Sequence, residues 1–225
     1  MPRLLLFRGS PRSDIQEVEK WNHKLPCDMI IIRYTHEIPA YREAREYFLR
    51  HTEYDYLVLA TDDIIVLPKH VRQLQRDLDK TAYLILSGMM NVDEDDYPDG
   101  KHNISHDLPN KLRSARIWNF VKPSDLAPKF IFLVGFAGFA LTAIHRRVVE
   151  QIQFAGDGAY GKYTRDEGAS LDLVFAYDCK DLNIPMFVDK RIKMHHLRLH
   201  GTFNVGKIKP ITEIINVNKI ITPQV

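Results

Sequence analysis

Two adjacent carboxylates, Asp62 and Asp63, stand at the end of an apolar run, Leu57-Val58-Leu59-Ala60, with only Thr61 between. Unpaired charge at the end of a buried strand is costly, and a cation offsets that cost. Oxygen ligands suit Mg²⁺ or Mn²⁺. Such ions take one or two carboxylates and leave their other positions to water and substrate phosphates. The plainer reading makes both acids turn residues in an exposed loop. Against it, Ile64-Ile65-Val66 resumes the apolar run at once.

Four further features could join that chemistry. His195-His196, with His200 nearby, follows a strand-like run; a histidine there can complete a metal shell or meet a phosphate. The same residues also suit a polar surface turn. Neither a helix with H-x-x-x-H spacing nor a Cys partner accompanies them, so a zinc motif is not read here. Asp172 falls in the first turn of a helix if Ser170 is its N-cap. The helix dipole alone favours a carboxylate there, and the same dipole keeps it ionised for work as a general base. Arg45 lies about one turn from Tyr41 on a predicted helix, where a surface arginine is the bland alternative. Arg8 follows the first strand and could meet a phosphate.

A strand–helix alternation must position these residues. Arg3–Phe7 is a short strand, and Arg8-Gly9-Ser10-Pro11 is a loop by composition. Asp28–Tyr34 is a second strand, without clean alternation, as for a strand covered on both faces. Pro39 opens a helix with Tyr41, Ala44 and Phe48 on one stripe. Tyr54–Val66 is a third strand, interrupted by the two acids. Pro68 starts a helix carrying Val71, Leu74 and Leu78, and Tyr83–Leu86 is a fourth strand. This is the pattern of parallel βαβ units, whose ligands bind beyond the carboxyl ends of the strands. The loops after Phe7, Arg33 and Ala60 are therefore expected on one edge.

The second half reads less regularly. Asn91–Pro128 is polar and holds Asp93, Glu94, Asp95, Asp96 and Asp99, without the spacing of an EF-hand loop. Phe130–Val134 returns as a strand, and Leu141, Ile144, Val148 and Ile152 suggest a helix after it. Gly156–Glu167 is a Gly-rich loop. Leu171, Val174, Phe175 and Leu182 mark a helix, and Pro185–Met194 is the last strand before the histidines. The tail after Gly201 is rich in β-branched residues.

Composition narrows the class. The chain has 225 residues, 45% of them hydrophobic and 27% charged, which excludes a disordered or fibrous chain. One α/β domain over residues 1–225 is expected. Cys27 and Cys179 form no C-x-x-C pair, which argues against a zinc ribbon or a disulfide scaffold. A formal charge of +2 is too weak to indicate a nucleic-acid partner. Leu4-Leu5-Leu6-Phe7 is too short for a signal-peptide core, and Phe130–Ile144 falls short of the roughly 20 residues of a spanning helix. The expectation is a cytoplasmic protein without a transmembrane segment.

Taken in order, these stretches resemble the GT-A fold glycosyltransferases, in particular the family-2-like nucleotide-sugar transferases. Tyr54–Pro68 (YDYLVLATDDIIVLP) looks like that family's strand plus D-x-D-type motif. Asp62 and Asp63 match its aspartates, and Thr61 stands at the first position of its three-aspartate version. Ala44-Arg45 looks like the Ala-Arg pair of the preceding helix. Val134–Arg147 (VGFAGFALTAIHRR) resembles the acceptor-side strand and helix. Leu171-Asp172 resembles the site of the catalytic aspartate, with Leu where Glu is usual. Asp189–His196 (DKRIKMHH) resembles the final strand and its histidine. The N-terminal loop lacks the common Pro-Thr-Tyr-Asn pattern, and Arg33-Tyr34 replaces an acidic end of the second strand.

The resemblance implies a Rossmann-like, mostly parallel sheet flanked by helices, in one domain with a nucleotide-binding half (1–90), an acceptor half (129–200) and a C-terminal tail (201–225). It implies a metal-dependent transferase that moves a sugar from a nucleotide-diphosphate sugar to an acceptor hydroxyl on a sugar, glycan, lipid or protein. On that reading Asp63 and His196 hold Mn²⁺ or Mg²⁺, and Asp62, Arg8 and Arg45 lie near the nucleotide. Asp172 is then the general base of an inverting reaction, and Gly156–Glu167 forms a lid. Two alternatives stand beside it: a non-catalytic nucleotide-sugar binding module, and a nucleotidyltransferase on a related fold.

Overall fold

Successive side chains of a strand point to opposite faces. In the computed structural model, β1 (Leu4–Ser10) sends Leu4 and Leu6 into one apolar layer, and Leu5 and Phe7 into another. Both layers are covered, so the strand reads as an unbroken apolar run. The structure describes residues 1–10, 15–90, 102–108, 120–122, 125–126, 128–154, 171–197 and 209–217.

After β1 come α1 (Gln16–Asn22), β2 (Asp28–Arg33), α2 (Glu37–Arg50), β3 (Tyr56–Thr61), β4 (Ile64–Ile65), α3 (Pro68–Lys80), β5 (Ile85–Met90) and β6 (Ile104–Ser105). Then follow β7 (Ile131–Val134), β8 (Phe136–Ala137), β9 (Ala140–His145), α4 (Arg146–Val149), α5 (Leu171–Asp181), β10 (Met186–His196) and β11 (Ile211–Ile215). The main sheet is ordered β11-β2-β1-β3-β9-β5-β10-β4, with β7 also paired to β10; β6 and β8 form a separate pair. α2, α4 and α5 cover the face of Leu5 and Phe7 with Tyr41, Ala44, Phe48, Val148 and Leu173. α3 covers the other face with Val71, Leu74 and Leu78. Each such apolar side chain larger than alanine contributes about 1.5–3 kcal/mol when fully buried.

The sheet is mixed, which corrects the expectation of a mostly parallel one. β1 pairs in parallel with β2 and β3, and β5 with β10. β4, β7, β9 and β11 run the other way. The largest departure is β9. The helix expected through Leu141 and Ile144 is a strand, antiparallel between β3 and β5. Only Arg146–Val149 is helical. A central strand is apolar on both faces, so its residues also satisfy a three-to-four spacing, and periodicity cannot separate the two states. Arg8-Gly9-Ser10, a loop by composition, continues β1, because β2 and β3 supply partners on both sides. The acidic cluster from Asp93 to Asp99, the Gly156–Glu167 segment, Ser170 and His200 lie outside the described residues. Among the described residues, no helix is long and apolar enough to cross a membrane.

α5 buries a carboxylate that the fold holds at a cost. Asp178 is 5% exposed, and its Oδ1 has no hydrogen-bond partner among the described residues. Burial, then the charge of Asp181, pushes its carboxyl from 3.8 up to about 7. Between those values the folded chain keeps a proton that the unfolded chain has released. Stability from this group is therefore lost as pH rises through that window. At about 1.4 kcal/mol per unit the loss is on the order of 4 kcal/mol. His70 has the opposite slope, since burial lowers it from 6.5 to about 4. The Asp178 effect is thus read as a difference between two proteins. Asp178→Asn should be more stable than the natural chain by a few kcal/mol near pH 8, and about equal near pH 4. Denaturant melts at both pH values check this; an equal difference at both would refute it.

Candidate functional site

β3 ends in a turn whose backbone is tied down from below. Arg8, 1% exposed, donates from Nη1 to the carbonyls of Thr61 (2.9 Å) and Ile64 (3.0 Å). Those two carbonyls flank Asp62 and Asp63, so one guanidinium frames the pair. Burial pulls the Arg8 guanidinium down to about 10, and Glu19, Asp62 and Asp63 act to keep it charged. Arg8 thus reaches the site through the backbone of the turn, beneath the surface where a phosphate contact was expected.

Each aspartate is oriented separately. Ser10, the last residue of β1, donates its hydroxyl to Asp62 Oδ2 at 3.1 Å, and Asp62 is 6% exposed. Thr61 donates its hydroxyl to Asp63 Oδ1 at 2.7 Å. Asp63 Oδ2 lies 3.3 Å from His196 Nε2, with the two side chains 18% and 25% exposed. β4 builds this encounter. It pairs antiparallel with the end of β10, matching Ile64 with His196 and Ile65 with His195. The Leu197 N–H closes the arrangement on the Asp63 carbonyl at 2.7 Å. Residues 133 positions apart are thereby joined at one strand-end turn.

Thr61 occupies one oxygen of Asp63, while the other oxygen and an imidazole nitrogen stand together, mostly buried. Among the described residues no cluster of three or more His, Cys, Asp and Glu side chains could hold a metal alone.

Asp172 stands in the first turn of α5. Its Oδ1 accepts from the Leu173 N–H at 2.9 Å, and its Oδ2 lies close to Gly138, in the connection between β8 and β9. Tyr41 of α2 is 3% exposed. Burial raises its phenol well above the ordinary value, and the negative charges of Glu37, Asp172, Asp62 and Asp63 raise it further. The phenol of Tyr41 thus feels the charge of all three sequence-predicted carboxylates.

Arg45 is directed elsewhere. Its Nε donates to the Val149 and Ile152 carbonyls, both at 2.9 Å, and its Nη2 to that of Glu150 at 3.2 Å. It closes the C-terminal end of α4. Arg146 does the same for α2, donating to the Phe48 and His51 carbonyls and lying over the Phe48 ring at 4.2 Å. Arg33 pairs with Glu19 and Glu213, so the unusual basic end of β2 is neutralised by α1 and β11. Sequence reasoning passed over Ser10, Tyr41 and Gly138 as site residues, although a lone glycine in an apolar run does mark close approach.

Neither a family model nor a curated protein sequence matches the chain. Among solved structures, the chain is similar to A197 from STIV, with a TM-score of 0.56 at 16% identity, over 92% of this chain and 98% of that one. At that identity the likeness is one of fold alone. CMP:2-keto-3-deoxy-manno-octonic acid synthetase complexed with CTP aligns over 90% of this chain and 93% of that one. Its 9% identity and TM-score of 0.45 are too low to carry an argument.

Proposed function

We propose that this chain, a mixed α/β protein with a strand-end carboxylate pair, is a GT-A-type glycosyltransferase. It moves a sugar from a nucleoside-diphosphate sugar to an acceptor hydroxyl. The observation that carries the reading is the meeting of Asp63 and His196 at 3.3 Å on the turn framed by Arg8.

Asp63 and His196 would hold Mn²⁺ or Mg²⁺, which when bound supplies Lewis-acid neutralisation of the diphosphate leaving group. Asp62, oriented by Ser10, is assigned to the ribose side of the nucleotide. Arg8 is a positioning residue, because it acts through the Thr61 and Ile64 carbonyls. Arg45 keeps its place at the end of α4 and is given no contact with the nucleotide. Asp172 takes the proton of the acceptor hydroxyl. The acceptor oxygen then bonds to the anomeric carbon as the bond to the diphosphate oxygen breaks, and the diphosphate leaves with that electron pair. This is an inverting displacement with one general base.

The test is a melting survey with nucleoside-diphosphate sugars, each with and without Mn²⁺. A ligand at a hundred times its Kd should stabilise the fold by about 2.7 kcal/mol. Stabilisation that needs the metal, followed by turnover with an acceptor, is the expected result. Metal-dependent binding without hydrolysis or transfer would make the chain a binding module. Pyrophosphate release from a nucleoside triphosphate and a sugar acid or sugar phosphate would make it a nucleotidyltransferase.

A further inference from the structure

β10 does not run straight to His196. Against its parallel neighbour β5, Val188 is matched with Ser87 and Lys193 with Met89, so β10 advances five residues where β5 advances two, an excess of three. Side chains alternate across a strand, so an odd excess exchanges the two faces. Before the bulge, Met186 and Val188 lie in the layer of Leu5 and Phe7, and Phe187 packs against the layer covered by α3. After it, Ile192 and Met194 lie in the α3 layer, and His195 is exposed. On a straight strand the face of Phe187 would continue to His195. With the excess it passes to His196, the histidine that meets Asp63.

Two features hold the bulge. A Cβ on Gly88 of β5 would stand 2.8 Å from both the carbonyl oxygen and Cγ2 of Ile192, so glycine there admits the close approach. The second feature is a clamp. The Arg191 N–H and Nε donate to Asp189 Oδ1 at 3.0 and 2.9 Å, and its Nη2 donates to Asp189 Oδ2 at 3.0 Å and to Asp77 Oδ1 at 2.9 Å. Gln73 donates to the other oxygen of Asp77 at 2.9 Å. Asp77 belongs to α3, which follows Asp63 and β4 directly in the chain. The clamp therefore fixes the bulge against the same stretch of chain that carries Asp63.

Both acids are buried. Burial pushes the Asp189 carboxyl above its usual range, and the hydrogen bonds from Arg191 pull it back. Replacing a buried ion network by neutral side chains of similar size is often neutral or stabilising, and the best-attested use of such a network is to fix register. Register matters here, because a slip of one residue sends every side chain to the other face and would carry His195 to the place of His196.

We propose that Asp189, Arg191 and Asp77 are positioning residues, whose clamp on the β10 bulge selects His196 over His195 as the partner of Asp63. The selection stands on strand register alone. That the selected histidine binds a metal rests on the glycosyl-transfer reading.

The pairing of β4 with β10 reports the register without any metal. The Leu197 N–H on the Asp63 carbonyl makes those two residues a hydrogen-bonded pair, so His196 and Ile64 form the closer kind of pair, with their Hα atoms facing each other. Their Hα–Hα Overhauser effect is read in the natural chain and in Asp77→Asn/Asp189→Asn/Arg191→Met, which removes every charge of the clamp and leaves no buried ion unpaired. The expected result is a variant that still melts cooperatively but in which this contact is lost, or is joined by that of a slipped pairing of His195 with Ile64. Should that variant fail to fold, Arg191→Lys keeps a cation beside both acids without the planar fork that bridges them, and carries the same reading. The second probe is Mn²⁺ with a nucleoside diphosphate, whose affinity should fall about tenfold or more in the variant. An unchanged His196–Ile64 contact in a folded variant overturns the proposal, whatever happens to stability. A slipped register beside Mn²⁺ binding that is absent from the natural chain, or unchanged by the slip, keeps the clamp and removes His196 from the metal site.

Discussion

Asp172→Asn should melt within about 1 kcal/mol of the natural chain and transfer sugar at least about a hundredfold more slowly. The two halves of that expectation have separate physical causes. Asn keeps an oxygen where Asp172 Oδ1 accepts the Leu173 N–H at 2.9 Å, so the start of α5 is preserved. It loses the negative charge and the capacity to take a proton, and general-base contributions run about 10²–10⁴-fold. Donor binding should survive, because Asp63, His196 and Ser10 are untouched. Transfer assays at saturating donor, beside melting curves, decide the matter. Equal rates in the two proteins would remove Asp172 from the chemistry and leave it as a residue that opens a helix.

Asp63→Asn should abolish metal-dependent binding of nucleoside diphosphates. In the absence of ligand the turn should keep its shape. Arg8 still binds the Thr61 and Ile64 carbonyls, and Leu197 still binds the carbonyl of residue 63. The amide oxygen can also still accept from the Thr61 hydroxyl. What is lost is the charged oxygen facing His196, and with it one of the two protein ligands proposed for the metal. The readout is the melting shift produced by Mn²⁺ with a nucleoside diphosphate. A shift worth about 2.7 kcal/mol at a hundred times Kd in the natural chain should fall to near zero. Retention of the same metal-dependent shift would place the nucleotide elsewhere. The Asp172 and Asp63 variants thus separate chemistry from donor binding.

Several elements were legible because local chemistry and tertiary environment agree there. Tyr41, Ala44 and Phe48 share a helical stripe, and all three are buried in α2. Val71, Leu74 and Leu78 behave the same way in α3. The strand-end aspartates stood out because two acids interrupt an apolar run that resumes at once. The parallel order of β1, β2 and β3 then put the ends of β1 and β3 on one edge, where Ser10 meets Asp62.

Other features depended on partners that no local pattern specifies. Ala140–His145 is apolar enough for a buried helix or a central strand, and its pairing with β3 and β5 decided for a strand. Arg8 and Arg45 have the same functional group and the same sequence promise. One frames the Asp62–Asp63 turn and the other caps α4, because carbonyls left unpaired at those ends are what their guanidinium groups reach. The sequence by itself determined which residue types could bind a cation or move a proton, and the strand ends that would carry them. Only the tertiary structure decided that His196 reaches Asp63. That encounter is long-range, made by strand pairing, and it has no local energetic signature in the chain.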